Sequence, residues 1–247
     1  MESMLIRERY KIVRILWSQP GYALAEAVDI QDRETPALLL NLYEGEFLHR
    51  YGRIYSEVGR ADCPEFKGAF LEGDTLVAAF DAQEGEGIDF AFHRGDRWSW
   101  QDRLEFAQLV LHQALSMANL PPEISCALLL SDNLLVDVPE RRVRVRCMVR
   151  PVETALNPRE AALLAADQVK KILPRRLTDT AAEIAFLDLL DAGAFRSVVP
   201  LYAAWREALP RIREERGEYD KKNFVSKGIT LLKRAFRRRR KKKGDRV

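Results

Sequence analysis

The sequence predicts an α+β protein with two lobes, a small antiparallel β N-lobe followed by a reduced helical C-lobe. Three observations support this prediction. Short apolar segments separated by turn residues fill the first part of the chain, as expected for antiparallel strands. A long helix is predicted after Ser99, because Asp102 gives a capping-box pattern and apolar residues then recur at helical spacing. Shorter helical patterns begin at Pro158 and continue towards the end of the chain.

The N-lobe is predicted to contain five strands and one helix. The helix is expected over residues 44–60, where apolar and aromatic side chains recur at helical spacing. The segments on either side are rich in β-branched, aromatic and other apolar residues, and a Gly-containing turn at residues 72–74 closes the second hairpin. The predicted strands are residues 9–16, 22–28, 37–43, 66–71 and 75–82.

The C-lobe is predicted to start after the acidic, Gly-containing connector at residues 84–87, which is the natural place for a hinge. A short irregular helix over residues 90–98 precedes the long helix. A tight loop then leads into two short strands, one ending at Asp137 and one over residues 143–149. The remaining helices are predicted over residues 158–172, 180–190 and 198–209.

Length and composition fit an ordinary globular protein. At 247 residues with 47% hydrophobic residues, the chain can form one two-lobed domain or two small domains. We expect no secretory signal, because the N-terminus leads directly into a charged strand, and no run of about 18 apolar residues occurs. We therefore expect a cytoplasmic protein that does not cross a membrane. The predicted division is an N-lobe at residues 1–83, a C-lobe at 84–216 and a basic amphipathic tail at 217–247.

Residues that carry chemistry are few and scattered. The three cysteines, Cys63, Cys126 and Cys147, have no paired spacing, which favours reduced, buried thiols over a disulfide or a zinc site. The three histidines are isolated, and no Ser-His-Asp or metal-binding cluster can be assembled from the pattern. We therefore predict no metal site and no cofactor.

The charge is strongly uneven along the chain. Ten of the 40 basic residues and one of the 37 acidic residues lie in residues 233–247, so the preceding body has 30 basic and 36 acidic residues and a net charge of −6. Such a basic run after an amphipathic segment favours contact with an anionic membrane surface. The nine cations of this predicted contact are Lys233, Arg234, Arg237, Arg238, Arg239, Arg240, Lys241, Lys242 and Lys243.

The order and spacing of the elements between residues 9 and 150 resemble a protein kinase. The kinase signature places a Gly-rich turn and a strand Lys at the phosphates, followed by a His-Arg-Asp triplet, an Asn five residues after its Asp, and an Asp-Phe-Gly segment for metal. Here the turn at residues 17–21 keeps only Gly21, and Asn133 is the loop Asn. The resemblance therefore implies the kinase fold with most of its catalytic motifs replaced.

The replaced positions carry residues that cannot support phosphoryl transfer. They leave no side chain to pair with a phosphate, no base and no metal-binding carboxylate. The strand Lys falls on Leu40 or, one register over, on Asn41; the triplet falls on Cys126, Ala127 and Leu128; the Asp-Phe-Gly segment falls on Cys147, Met148 and Val149. The resemblance thus implies a pseudokinase that is not an enzyme.

We interpret the chain as a non-catalytic scaffold or adaptor that binds partner proteins at the cytoplasmic membrane face, in a secretion or signalling complex. In outline it is similar to the cytoplasmic pseudokinase domain of EssB/YukC-type components of type VII secretion. Those proteins carry a membrane span after that domain, whereas this sequence has the basic run at the corresponding place.

Two other functions stay open from the sequence. A divergent Ser/Thr-kinase-like phosphotransferase could use relocated residues, with Asp132 or Asp137 and Asn133 holding a metal. A nucleic-acid-binding protein could use the basic tail through counterion release. No aromatic-interleaved RNA-binding motif or helix-turn-helix pattern supports a sequence-reading role.

Overall fold

An antiparallel sheet forms the N-terminal part of the protein. The computed structural model describes residues 5–32, 37–93, 95 and 98–221. Six strands lie in the order β1-β2-β3-β4-β6-β5, and each neighbouring pair is antiparallel. They are β1 (Leu5–Ile6), β2 (Tyr10–Gln19), β3 (Tyr22–Asp29), β4 (Ala37–Tyr43), β5 (Phe66–Glu72) and β6 (Thr75–Asp81). The five predicted strands are present, and the two-residue β1 is an addition too short to show a pattern.

Helix α1 (Glu46–Ser56) packs on one face of this sheet through aromatic rings. Tyr51 stacks on Tyr43 of β4 with ring centroids 4.5 Å apart, and Tyr55 stacks on Phe66 of β5 at 5.6 Å. Such pairs add to the free energy gained by burying the rings. The hydrophobic periodicity of residues 44–60 therefore predicted both the helix and its buried face.

Strand β4 is buried on both faces, and its alternation separates two clusters of side chains. Leu39 and Tyr43 belong to the main core beneath the sheet, whereas Leu38 and Leu40 belong to a second cluster on the opposite face. Because successive side chains of a strand point to opposite faces, Asn41 lies on the side of the main core.

The helical part contains six helices and a small second sheet. Strands β7 (Glu86–Gly87), β8 (Leu134–Asp137) and β9 (Arg142–Val145) pair in the order β7-β8-β9. Capping boxes start three of the helices, at Ser99, Asn157 and Thr180. The helices are α2 (Ile88–Ala91), α3 (Trp100–Ser116), α4 (Pro122–Leu128), α5 (Pro158–Ile172), α6 (Ala181–Ala192) and α7 (Val198–Lys221).

Two predictions about this part were wrong. Residues 122–128 form helix α4 rather than the predicted tight loop, because Pro122 starts a helix as readily as it breaks one. Helix α7 is a single helix through Lys221, although we expected it to end near residue 209. Pro200 lies in its first turn, where the missing N–H has no intrahelical acceptor to lose. The predicted lobe boundary at residue 216 falls inside this helix.

A buried ionic cluster joins α7 to α6. The guanidinium of Arg216 lies 2.5 Å from a carboxylate oxygen of Glu183 and 3.3 Å from one of Asp179. All three side chains are at most 9% exposed. Burial raises the pKa of Glu183, while the charge of Arg216 opposes that rise. The arginine therefore stabilises two carboxylates that would otherwise be buried without a counterion.

No helix among the described residues is long and apolar enough to cross a membrane. The nine tail cations, Lys233 to Lys243, lie outside the described residues.

Candidate functional site

The side chain of Asn41 joins the sheet to the segment after β9. Its Nδ2 donates to the carbonyl of Cys147 at 2.8 Å, and its Oδ1 accepts the backbone N–H of Val149 at 2.8 Å. The Tyr22 hydroxyl donates to the same Oδ1 at 2.9 Å. Asn41 is completely buried. The amide is therefore committed to internal hydrogen bonds at the point where the sequence resemblance placed the phosphate-binding lysine.

The alternative register of that lysine position is resolved by the strand alternation. Leu40 is also fully buried, but it lies in the cluster on the far face of the sheet. Of the two predicted positions, only Asn41 contacts residues 147–149.

Tyrosines extend this connection. The Tyr43 hydroxyl donates to the carbonyl of Val149 at 2.7 Å and lies 2.8 Å from the Tyr55 hydroxyl. The Tyr51 hydroxyl accepts the N–H of Val152 at 3.2 Å. Burial raises the pKa of Tyr43 and Tyr55 well above the ordinary value, so both phenols stay neutral. These rings form a polar-edged aromatic wall that holds the segment after β9 against the sheet.

Asn133 holds the same segment from the helical side. Its Nδ2 donates to the carbonyls of Ala127 at 2.7 Å and Met148 at 2.8 Å, and its Oδ1 accepts the N–H of Met148 at 3.2 Å. The side chain is fully buried. Its amide oxygen, which is the atom that would ligate a metal, is engaged with the protein backbone.

The predicted triplet position lies within and beside this arrangement, in helix α4. Cys126, Ala127 and Leu128 are all buried. Burial raises the pKa of Cys126 to about 12, so its thiol is a poor base and a poor nucleophile at neutral pH. Only the carbonyl of Ala127 takes part in the network, through Asn133.

The turn of the first hairpin has a packing role. Gly21 has φ +72°, and a Cβ there would lie 2.9 Å from the ring of Phe47 in α1. Glycine is therefore required by the turn and by the close approach of α1. Beside it, the guanidinium of Arg150 lies 4.4 Å from the centre of the Trp17 ring. A nitrogen of Arg150 also lies 3.8 Å from a carboxylate oxygen of Asp132, so this side chain links the hairpin to the loop before β8.

Sequence reasoning missed the position of Arg150, because no local pattern brings residue 150 close to residue 17. The two carboxylates considered for a relocated metal are both paired with arginine. Asp132 pairs with Arg150, and Asp137 lies 2.8 Å from Arg144. The backbone N–H of Glu140 and the Arg144 guanidinium hold the pKa of Asp137 below its usual value.

Two of the cysteines, which seemed unrelated in the sequence, lie together. The ligand atoms of Cys63, Glu65 and Cys147 are all within 4.8 Å of one another. Within the part of the chain that the structure describes, this is the only group of three or more such residues close enough to hold a metal. Cys63 and Cys147 are 84 positions apart, so no spacing rule could have paired them.

Comparisons with known proteins support the fold. No family model and no curated protein matches the sequence. The kinase domain of PknI from Mycobacterium tuberculosis has 11% sequence identity, a TM-score of 0.56, and coverage of 84% of this chain and 99% of that one. A cysteine-to-alanine mutant of the same domain has 13% identity, a TM-score of 0.57 and coverage of 85% and 98%. The apo GRMZM2G135359 pseudokinase has 11% identity, a TM-score of 0.52 and coverage of 80% and 91%.

The chain therefore has a protein-kinase-like fold, with an antiparallel sheet in the N-lobe and helices in the C-lobe. The fold class predicted from the order of sequence elements is confirmed.

Proposed function

We propose that this protein is a non-catalytic kinase-fold module that acts as a scaffold or adaptor for partner proteins. One observation carries the proposal: the polar side chains between the lobes are used up by internal hydrogen bonds. Asn41 binds Cys147 and Val149, and Asn133 binds Ala127 and Met148. A nucleotide and its metal would have to displace these buried bonds, and each buried group left unpaired costs about 1–3 kcal/mol.

The outer strand of the first hairpin supports a protein-binding role. Val13, Ile15 and Trp17 of β2 are 59%, 51% and 43% exposed. Within the described residues, β1 pairs with β2 only at Tyr10 and Lys11, so the rest of this outer edge of the sheet has no neighbouring strand. An apolar edge strand of this kind favours an extended, apolar segment of a partner protein, which gains main-chain hydrogen bonds and buries these side chains.

The basic tail supports a location at an anionic membrane face. Each Lys or Arg near such a surface contributes about 1 kcal/mol of attraction. The similarity in outline to EssB/YukC-type components adds the hypothesis of a secretion complex. In this proposal the kinase-like fold presents the partner surface and residues 233–243 hold it close to the lipid.

Nucleotide binding tests the central claim. The purified chain is expected to show no change in melting temperature with millimolar ATP and magnesium, and no phosphate transfer to a generic protein substrate. Asp132→Asn is the informative variant, because Asp132 is exposed and can be changed without opening the core. A melting-temperature rise in the parent that Asp132→Asn abolishes would establish the phosphotransferase alternative and overturn the proposal.

The partner surface needs a position-specific test. A photo-crosslinking amino acid at Val13 is expected to give a discrete protein adduct in the source cells, and Ile15→Asp should remove it. The same amino acid at Val199, which is 55% exposed on α7, is the matched control. Equal adducts from both positions, or an adduct that persists with Ile15→Asp, would contradict this assignment of the surface.

A further inference from the structure

The cluster of Cys63, Glu65 and Cys147 connects two distant parts of the chain. Cys63 and Glu65 lie in the connection between α1 and β5, and Cys147 follows β9. Both thiols are at most 2% exposed, whereas Glu65 is half-buried. The Cys63 thiol lies 3.7 Å from a carboxylate oxygen of Glu65. A buried thiol pair that faces a carboxylate differs from the usual isolated buried cysteine, which behaves as a small apolar side chain.

The spacing of these atoms suits a tetrahedral metal ion. Zinc–sulfur bonds of about 2.3 Å place two thiolates about 3.8 Å apart. The sulfur and oxygen atoms here are all within 4.8 Å of one another, so shifts of about 1 Å would bring them to bonding geometry. Side-chain rotations of this size are available to Glu65, which is not fully packed.

The donor types select the class of metal. Two thiolates and one carboxylate form a soft-to-borderline ligand set, which suits Zn²⁺ and disfavours Mg²⁺. The hydrogen bond with Cys63 and burial raise the pKa of Cys147 well above its usual value, so both thiols carry protons when no metal is bound. The carboxylates facing Cys147 are Glu65 and Asp81, and the Asp81 carboxylate already lies 3.0 Å from the Lys67 ammonium. Glu65 is therefore the carboxylate available to a cation.

We propose that Cys63, Glu65 and Cys147 bind one Zn²⁺ ion, with water in the fourth position. Binding replaces two S–H bonds by two Zn–S bonds and releases two protons to the buffer; no oxidant or reductant is required. The ion would join the connection after α1 to the segment after β9, and so tie the sheet to the helical part through metal–ligand bonds. This proposal is independent of the scaffold function, because it concerns ligand binding at a different group of side chains.

Cobalt provides the probe. The full chain, freed of metal and kept reduced with a phosphine, is titrated with Co²⁺ while the near-ultraviolet spectrum is recorded. A thiolate-to-cobalt charge-transfer band that saturates at one equivalent is expected, and Zn²⁺ should then remove it. Histidines and carboxylates elsewhere cannot produce this band, so it reports thiolate ligation specifically. Zinc should also raise the melting temperature of the reduced protein.

Variants separate this site from any other. Cys63→Ser and Cys147→Ser are each expected to abolish the band, and Cys126→Ser is the matched control that keeps it, because Cys126 lies in α4 outside the cluster. Glu65→Gln, at a half-buried position that leaves the core intact, should weaken Co²⁺ binding by about 10-fold or more. The proposal is overturned if the reduced protein gives no band at millimolar Co²⁺, or if the band survives in Cys147→Ser or is unchanged in Glu65→Gln.

Discussion

Asn41 binds the backbone of Val149 across 108 positions of sequence, with its Oδ1 accepting the Val149 N–H at 2.8 Å. Its Nδ2 donates to the carbonyl of Cys147, so one side-chain amide satisfies a donor and an acceptor of the same extended segment. The contact reproduces with a side chain what a neighbouring strand would supply with its main chain. It fixes the sheet to the segment after β9.

Asn41→Ala is expected to lower the free energy of unfolding by about 2–4 kcal/mol, because it leaves the Cys147 carbonyl, the Val149 N–H and the Tyr22 hydroxyl without this partner in a dry interior. Denaturant unfolding monitored by tryptophan fluorescence measures the change. Asn119→Ala, at an exposed position, is the control and should shift stability by less than about 0.5 kcal/mol. Equal losses in the two variants would show that the Asn41 contacts contribute nothing special.

Tyr43→Phe removes only a hydroxyl. The ring keeps its stacking on Tyr51, but the Val149 carbonyl and the Tyr55 hydroxyl each lose a partner, so we expect a loss of about 1–2 kcal/mol. Tyr10→Phe is the control, since the Tyr10 hydroxyl has no hydrogen bond to another described residue and its ring stacks on Phe70. Thermal unfolding at one pH compares the pair. A Tyr43→Phe protein as stable as the parent would argue against the hydroxyl's role.

Arg216→Met tests the buried ionic cluster. It removes the counterion of Glu183 and Asp179, and breaking a buried pair of this kind costs about 3–5 kcal/mol at neutral pH. Arg213→Met, on an exposed position of the same helix, is the matched control.

The pH dependence gives this variant a second readout. Burial already raises the pKa of Glu183 and Arg216 opposes the rise, so the substitution raises that pKa further. A carboxyl whose pKa is higher in the folded state stabilises the fold below its unfolded pKa and loses that contribution as pH rises through the folded value. The deficit of Arg216→Met should therefore be smaller in mildly acidic buffer than at neutral pH, and a constant deficit across this range would contradict the assignment.

The basic tail is expected to bind anionic lipid. The full chain should float with vesicles that contain phosphatidylserine at low salt and dissociate as salt rises, because the Debye length shortens. A chain lacking residues 233–243 should stay in the soluble fraction, as should the full chain with purely zwitterionic vesicles. Retardation of duplex DNA without vesicle flotation would instead favour the nucleic-acid alternative.

The sequence predicted the order of elements well because most of them carry a local signal. The capping boxes at Ser99 and Asn157 and the aromatic periodicity of α1 are examples. It failed at residues 122–128, where a short apolar run fits either a buried helix or a loop between strands.

The site was predictable only in part. The Asn133 position and the segment 147–149 do lie together, as the resemblance to kinases implied, but the choice between Leu40 and Asn41 depended on which face of β4 meets the core. The pairing of Cys63 with Cys147, and of Trp17 with Arg150, arises from tertiary packing and leaves no trace in residue spacing.

The bonds from Asn41, Asn133 and Tyr43 all end on main-chain atoms, and most of these belong to residues 147–149. Every amino acid except proline carries those same atoms, so the letters at these three positions can be exchanged while the joint between the lobes keeps its partners. An architecture fastened in this way can persist after its motif has become illegible, which accounts physically for a chain whose ancestry is visible in its shape while its sequence matches no family model.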